Sequence, residues 1–426
     1  MYAIRRFFRP TQPVPPEYRR NFLHLYFDIA WWGLLNGSVL VFLAIYASRL
    51  GASTFQLGLL TASPALVNLL FTFPAGSFTS KWTTAKAVRW SALVMRLFYL
   101  FLIPLPILLP GDTQIWVIIS LTLLMNIPGV IIAVQFNAFF AEVTPPEYRG
   151  HVVGIRNALF AITTMLAALA SGLALDKLPF ANGYQVVFAI GFLGAMMSTV
   201  HLFLIKPPAA ETLSALPETS EAVKREVEAA DRAPVRASRW GALRMDVLRG
   251  PFATILWITF LFQTSLFFIG PVVPRYQVDE LRLTDATISQ GSAVFWVMYF
   301  VGSLQVRRLA QRWGFKRMTA YGLLIASLTL TIFTFSYEKW IYLTHQFIGG
   351  FGFALMSAGM INYILEKVPV DDRFSHLAWY NLALNASILL SGLLAPPIAG
   401  VIGIMATLLV SVGLRAIVAL FMLKRG

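Results

Sequence analysis

"EVTPPEYRGHVVGIRN" occupies residues 142–157 and "EKVPVDDRFSHLAWYN" occupies 366–381. At a constant offset of 224 residues, Glu142 meets Glu366, Pro145 meets Pro369, Arg149 meets Arg373 and Asn157 meets Asn381. Each copy begins where a long apolar run ends, the fourth run for the first copy and the tenth for the second. Four identities at equivalent places mark the chain as two related halves.

The runs themselves define the class. Hydrophobic residues make up 57% of the 426, charged residues 13%, and the mean hydropathy is +0.68, which lies outside the range of soluble globular chains. Twelve apolar runs lie near 22–47, 55–77, 88–110, 114–138, 152–175, 184–205, 252–274, 288–306, 317–336, 340–364, 377–398 and 404–423. A helix needs about 20 such residues to cross a bilayer. A membrane barrel would show alternating segments of about ten residues instead. An all-α membrane protein of twelve transmembrane helices, in two pseudo-symmetric six-helix bundles, follows.

Lys and Arg orient it, because cytoplasmic loops carry their excess. With the N-terminus inside, 26 fall on inner segments and five on outer ones, Arg49, Lys177, Arg275, Arg282 and Lys339. Both termini are therefore expected in the cytoplasm. The net charge of +14 is accounted for by insertion and anionic headgroups, and calls for no nucleic-acid partner. The basic start, "MYAIRRFFRPTQPVPPEYRRNF", leads into a run too long for a signal peptide and is expected to be retained. The absence of cysteine removes disulfides, thiol nucleophiles and cysteine-held metals.

The expected organisation is a cytoplasmic segment at 1–21, a first bundle at 22–205, a polar, proline-punctuated linker at 206–250, and a second bundle at 251–426. Within the linker, "SEAVKREVEAADR" suits a short surface helix capped by Ser220, and "RWGALRMDVLRG" suits the membrane interface. A second echo of the repeat lies in the inner loops, where "SKWTTAK" (80–86) matches "QRWGFKR" (311–317) in a base, then Trp, then a further base.

Together these features resemble the major facilitator superfamily: twelve spans in two sixes, a long cytoplasmic linker, and short basic loops between spans 2 and 3 and between 8 and 9. The family's loop pattern keeps Gly76, Lys81 and Lys86 in "GSFTSKWTTAK", with Ser80 at the acidic position and Thr83 at the second glycine. In "RRLAQRWGFKR" it keeps Arg312, Gly314, Lys316 and Arg317, with Gln311 at the acidic position. With Glu142, Arg149, Glu366 and Arg373 these are the loop-motif residues, and both copies lack the carboxylate that helps latch the halves on the cytoplasmic side in the family. The resemblance implies a substrate cavity between the halves, lined by spans 1, 4, 7 and 10, and alternating access in which the halves rock about a central site.

A charge at the centre of a membrane helix costs at least ~2.5–3.5 kcal/mol, so the few present are candidates for function. Those deep in the spans are Asp28, Arg96, Arg156, His345 and Arg415, with His24, His201 and Glu142 nearer the ends. At 100° per residue Asp28, Trp31, Trp32, Leu35 and Asn36 share an arc of about 140°, read as the cavity face of the first span. Asp28 lies at a depth of about 9 Å, similar to that of Arg96, so the two can pair. Three readings stand for Asp28: an internal ion pair, a coupling-ion site, or a side chain snorkelling to the headgroups. Arg156, close after Arg149, is expected to reach phosphate or helix ends. Arg415 is expected in packing or lipid contact, and His345 in an ordinary hydrogen bond. No spacing supports a metal site.

The uncharged polar residues of the cavity-type spans are Asn126, Gln135, Asn137, Gln263, Gln346 and Asn362, as substrate contacts or as interhelical glue. Gly349, Gly350 and Gly352, and Pro271 with Pro274, mark places for close approach or bending.

The function expected is secondary active transport of a small organic solute, with protons or sodium as candidate coupling ions and no cofactor. Aromatic content favours efflux of amphipathic compounds modestly over uptake. Against drug–proton antiport, the fourth span lacks an internal Arg and the fifth lacks a Gly-Pro pattern, features usual in such members. No phosphate-binding loop points to an ATP-driven pump. A non-transporting receptor on the same fold is the alternative; an enzyme finds no nucleophile–base pair. The expected setting is a monomer in the lipid bilayer of a bacterial cytoplasmic (plasma) membrane.

Overall fold

A computed structural model describes residues 14–79, 82–206, 245–250, 252–369 and 373–425. Ser80, Lys81 and the linker helix expected at Ser220 lie outside these residues. The described residues contain helices and no strand.

Among the described residues twelve transmembrane helices are present. Helix α1 runs from Pro16–Leu35 through a π-turn at Asn36–Leu40 into Val41–Arg49. It is followed by α2 (Thr54–Phe78), by α3 (Thr84–Leu97, extended through Phe98–Leu102 to Leu105–Leu108), by α4 (Gly111–Val143), α5 (Pro146–Lys177) and α6 (Phe180–Leu204). After residue 250, α7 is the short helix Phe252–Phe267, continued past a break by Val273–Arg275 and a second π-turn at Tyr276–Glu280. Asp285–Thr334 comprises two helices, α8 and α9, divided at Gly314. There φ is +73°, in the left-handed region that glycine tolerates without a Cβ penalty, so the loop-motif glycine is the turn itself. Helices α10 (Lys339–Lys367), α11 (Arg373–Ile402) and α12 (Ile404–Arg425) complete the chain. Twelve crossings return both ends to one side, the side the basic loops mark as cytoplasmic.

Small residues set the packing. Helix α1 wedges between α5 and α6. A Cβ on Gly37 would meet the Thr164 carbonyl oxygen at 2.2 Å, and one on Gly194 would meet the Trp31 carbonyl oxygen at 2.7 Å. Such contact lets backbones approach and gain dispersion energy where lipid supplies no hydrophobic drive between helices. The halves use the same device on each other: Gly58 of α2 lies against Gly392 of α11, and Gly172 of α5 against Ser289 of α8.

The cores are divided unequally along the membrane normal. Toward the outer side one apolar cluster spans both halves, joining Tyr46, Tyr184 and Phe188 to Tyr276, Phe333 and Tyr342. Toward the inner side the cores are separate: one gathers Phe22, Val88, Phe139 and Leu202, the other Phe262, Leu323, Met356 and Val418. The halves are fused outside and distinct inside.

Overpacking a tight contact costs about 1–3 kcal/mol. Gly194→Val is expected to lower the melting temperature of the detergent-purified protein, whereas Gly400→Ala, where an added Cβ meets nothing within 4 Å, leaves it unchanged or slightly raised.

Candidate functional site

Asp28 is buried at 3% exposure, and it lies inside the first bundle, on the face of α1 turned to α5 and α6. Its Oδ2 accepts from Arg156 Nη1 at 3.2 Å and its Oδ1 from the Ser198 hydroxyl at 2.6 Å, while Arg96 Nη2 stands 3.8 Å from Oδ1. Arg96 donates to the Thr199 hydroxyl at 3.0 Å and lies 5.1 Å from the Trp32 ring. Arg156 donates also to the Leu25 carbonyl at 2.8 Å and lies 5.3 Å from the Phe136 ring. Four helices, α1, α3, α5 and α6, thus meet on one carboxylate. The cluster holds two guanidiniums and one acid.

Two expectations change here. Arg156 is buried against Asp28 rather than placed at phosphate; the helix-capping role belongs to Arg149, which donates to the Thr144 and Ala141 carbonyls at 3.1 Å. The arc of Asp28, Leu35 and Asn36 does not face the space between the halves. Leu35 is fully buried, and the Asn36 amide reaches Thr164 of α5 at 3.5 Å. The opposite side of α1, with Val41 and Ile45, faces the other half. It lines a cavity of about 260 Å³ with Gln277, Ser292, Tyr342 and Gln346. In that cavity Tyr342 accepts from Gln346 at 2.8 Å and from Gln277 at 3.2 Å.

The remaining candidates separate into glue and lining. Asn126 and Asn362 donate to carbonyls one turn back in their own helices, at 2.6 and 2.8 Å, and Gln135 ties α4 to the Thr79 hydroxyl at 2.9 Å. Asn137 is exposed on α4. His345 Nδ1 is 2.8 Å from the Thr329 carbonyl, the ordinary hydrogen bond expected of it. His24 and His201 share a hydrogen bond at 3.0 Å, one turn cytoplasmic of Asp28. Among the described residues no group of three or more His, Asp or Glu could hold a metal.

Arg415 is buried at 6% exposure, not in lipid contact. It donates to the Ser265 carbonyl at 3.1 Å, the Ala326 carbonyl at 3.0 Å and, more weakly, the Leu266 carbonyl at 3.4 Å. The break in α7 after Phe267 frees the last carbonyls of that helix, and Arg415 with the Ser411 hydroxyl, 2.9 Å from Ser265 O, caps them. Beside it lies a cavity of about 460 Å³, whose polar lining includes Gln263, Ser357 and Tyr380.

In the inner loops, Thr83 accepts from the Lys86 N–H as the N-cap of α3, and Lys86 lies 5.4 Å from the Trp82 ring. Burial and the neighbouring Arg317 and Lys367 push the Lys316 ammonium below its usual range. Glu366 is exposed. At the outer end Arg49 of α1 donates to the Asp285 carboxylate at 3.1 Å, and Tyr184 donates to the same carboxylate at 3.2 Å.

Two bundles of long apolar helices, each with charged side chains buried inside it, describe an integral multi-pass membrane protein. The Major Facilitator Superfamily model matches residues 29–278 and 255–425, and the chain belongs to that family. It is a transporter of small solutes, not an enzyme. No curated protein matches the sequence. Many solved structures share its fold, three transporters among them. A peptide transporter POT, in complex with sulfate, is 15% identical with a TM-score of 0.67 over 98% of this chain and 95% of that one. The xylose transporter XylE from E. coli is 14% identical with a TM-score of 0.66, over 96% and 98%. The nucleoside transporter NupG is 13% identical with a TM-score of 0.64, over 97% and 100%.

Removing one partner of a buried ion cluster costs about 3–5 kcal/mol, because it strands the other charges. Asp28→Ala is therefore expected to reduce the yield of monodisperse protein and to lower its melting temperature. Ser198→Ala, which removes one hydrogen bond of about 1.5–3 kcal/mol to a charged group, is expected to produce a smaller fall in the same assay.

Proposed function

We propose that the chain is a secondary active transporter of a small, amphipathic organic solute, working by alternating access as a monomer in a bacterial cytoplasmic membrane. The observation that carries this reading is the unequal division of the cores: one apolar cluster across both halves outside, two separate clusters inside. A machine that opens alternately needs each half to be internally rigid and the contacts between them to be breakable. The Asp28 cluster supplies rigidity in the first half, and its central carboxylate is engaged by two arginines and a serine, which supports a structural role for it. Coupling to protons or sodium then draws on groups outside that cluster. The largely apolar lining of the 460 Å³ cavity supports amphipathic cargo, and the aromatic content of the chain favours efflux over uptake.

Outward opening requires that the Arg49–Asp285–Tyr184 lock at the outer rim part. A partly exposed ion pair with its hydrogen bonds contributes on the order of 1 kcal/mol, or about fivefold in the balance of states. The chain has no cysteine, so a single Ser292→Cys change in the cavity between the halves reports access cleanly. In intact cells, Asp285→Ala is expected to speed labelling of that cysteine by an impermeant maleimide about fivefold. An unchanged rate would remove the lock from the cycle. In proteoliposomes, accumulation of solute beyond equilibrium under a pH or sodium gradient is expected; binding without flux would instead indicate a receptor.

A further inference from the structure

We infer that Arg415 forms an anion-binding site within the second bundle, which takes the oxyacid head of an amphipathic organic anion, a carboxylate foremost. The inference rests on the transport reading and specifies its substrate class.

Three observations converge on it. First, the charge of Arg415 is not neutralised. It is buried at 6% exposure, all three of its hydrogen-bond acceptors are backbone carbonyls, and no carboxylate among the described residues pairs with it. Two of those carbonyls belong to the C-terminal end of α7, where the helix dipole contributes only about half a negative charge. The site remains net positive. A guanidinium has five N–H groups, and three of them are engaged, so one on each terminal nitrogen is free.

Second, the guanidinium lines a cavity of about 460 Å³, within the size range of small-molecule sites. The other walls are largely apolar, with Phe262, Phe353 and Met360 among them. A buried cation at one end of an apolar chamber suits an anion carried on an apolar body better than a neutral or polyhydroxylated solute.

Third, the same cavity holds idle hydrogen-bonding groups. The Gln263 amide on α7 and the Tyr380 hydroxyl on α11 line it, and neither hydrogen-bonds within the described residues. Both residues are half-buried, and a cation with spare donors beside an unused amide and an unused hydroxyl offers several hydrogen bonds at once to a ligand bearing acceptor oxygens. The bidentate match between guanidinium and oxyacid makes arginine the residue suited to this task.

The test uses the full-length protein in nanodiscs of neutral phosphatidylcholine, with 1-naphthoate and its uncharged isostere 1-naphthamide as probes. Naphthoate is expected to raise the melting temperature and to bind at least about tenfold more tightly than the amide. Arg415→Gln abolishes that preference, and Arg415→Lys, which keeps the charge without the fork, retains part of it. Ser357→Trp fills the chamber while keeping Arg415 in the chain and is expected to block naphthoate, so the test survives if Arg415→Gln does not fold. Equal binding of acid and amide, or undiminished naphthoate binding by folded Arg415→Gln, would overturn the inference. Nanodiscs containing phosphatidylglycerol distinguish the source of the anion. Stabilisation by that lipid that depends on Arg415 and is displaced by naphthoate keeps the anion site and assigns it to lipid in the resting protein. Failure of the site and failure of transport separate in counterflow. Flux of a neutral solute without anion binding sinks only this inference, whereas anion binding without flux under any gradient sinks only the transport reading.

Discussion

A guanidinium enclosed by apolar helices must find oxygen, because no water is there to solvate it. Among the described residues three of them, Arg96, Arg156 and Arg415, are buried, against one buried carboxylate, Asp28. The architecture follows from how that imbalance is met. In the first bundle the single acid is shared, which draws α3, α5 and α6 onto α1 and fixes their rotational register. In the second bundle no acid is available, so α7 is broken and its released carbonyls receive Arg415. The break in α7 and the arginine on α12 are two parts of one solution.

This accounts for an asymmetry between halves that are otherwise copies. Helices α1 and α7 occupy equivalent places, and each carries a π-turn toward its outer end, at Asn36–Leu40 and at Tyr276–Glu280. Such turns insert a residue into the helical ladder and recur at functional positions. Yet α1 runs unbroken for its full length while α7 stops at Phe267. The first half is pinned side chain to side chain across four helices. The second is pinned through backbone carbonyls, and carries the larger chamber next to its pin.

Much of the fold was legible because its cause is local. Twelve runs of apolar residues, the bias of Lys and Arg to one side, and the repeat at an offset of 224 each depend on residue type and order alone, and the short basic loop between spans 8 and 9 is where Gly314 turns the chain. The site was legible only in outline. Asp28 and Arg96 stand out as charges at similar depth, but Arg156, close after Arg149 in the loop between spans 4 and 5, reads as a residue for phosphate or helix ends. Which of two arginines caps a helix and which crosses to another depends on tertiary distance. A count of buried charges, two arginines against one acid in the first half, was the signal that a shared carboxylate was needed.

The face of α1 was misread for a related reason. Polar residues on a membrane helix face away from lipid, and that inference holds for Asp28 and Asn36. It does not distinguish the interior of one's own bundle from the cavity between bundles, since both exclude lipid. Gly33, Gly37 and Gly194 decide the matter: small residues on α1 and α6 bring α1 into backbone contact with its own bundle along the Asp28 side. That leaves Val41 and Ile45 to meet the other half. Apolar residues there make an interface that can part and re-form without stranding a charge, which a surface carrying Asp28 could not do. The polar face therefore holds one half together, and at the level of Val41 and Ile45 the surface of α1 toward the other half is apolar.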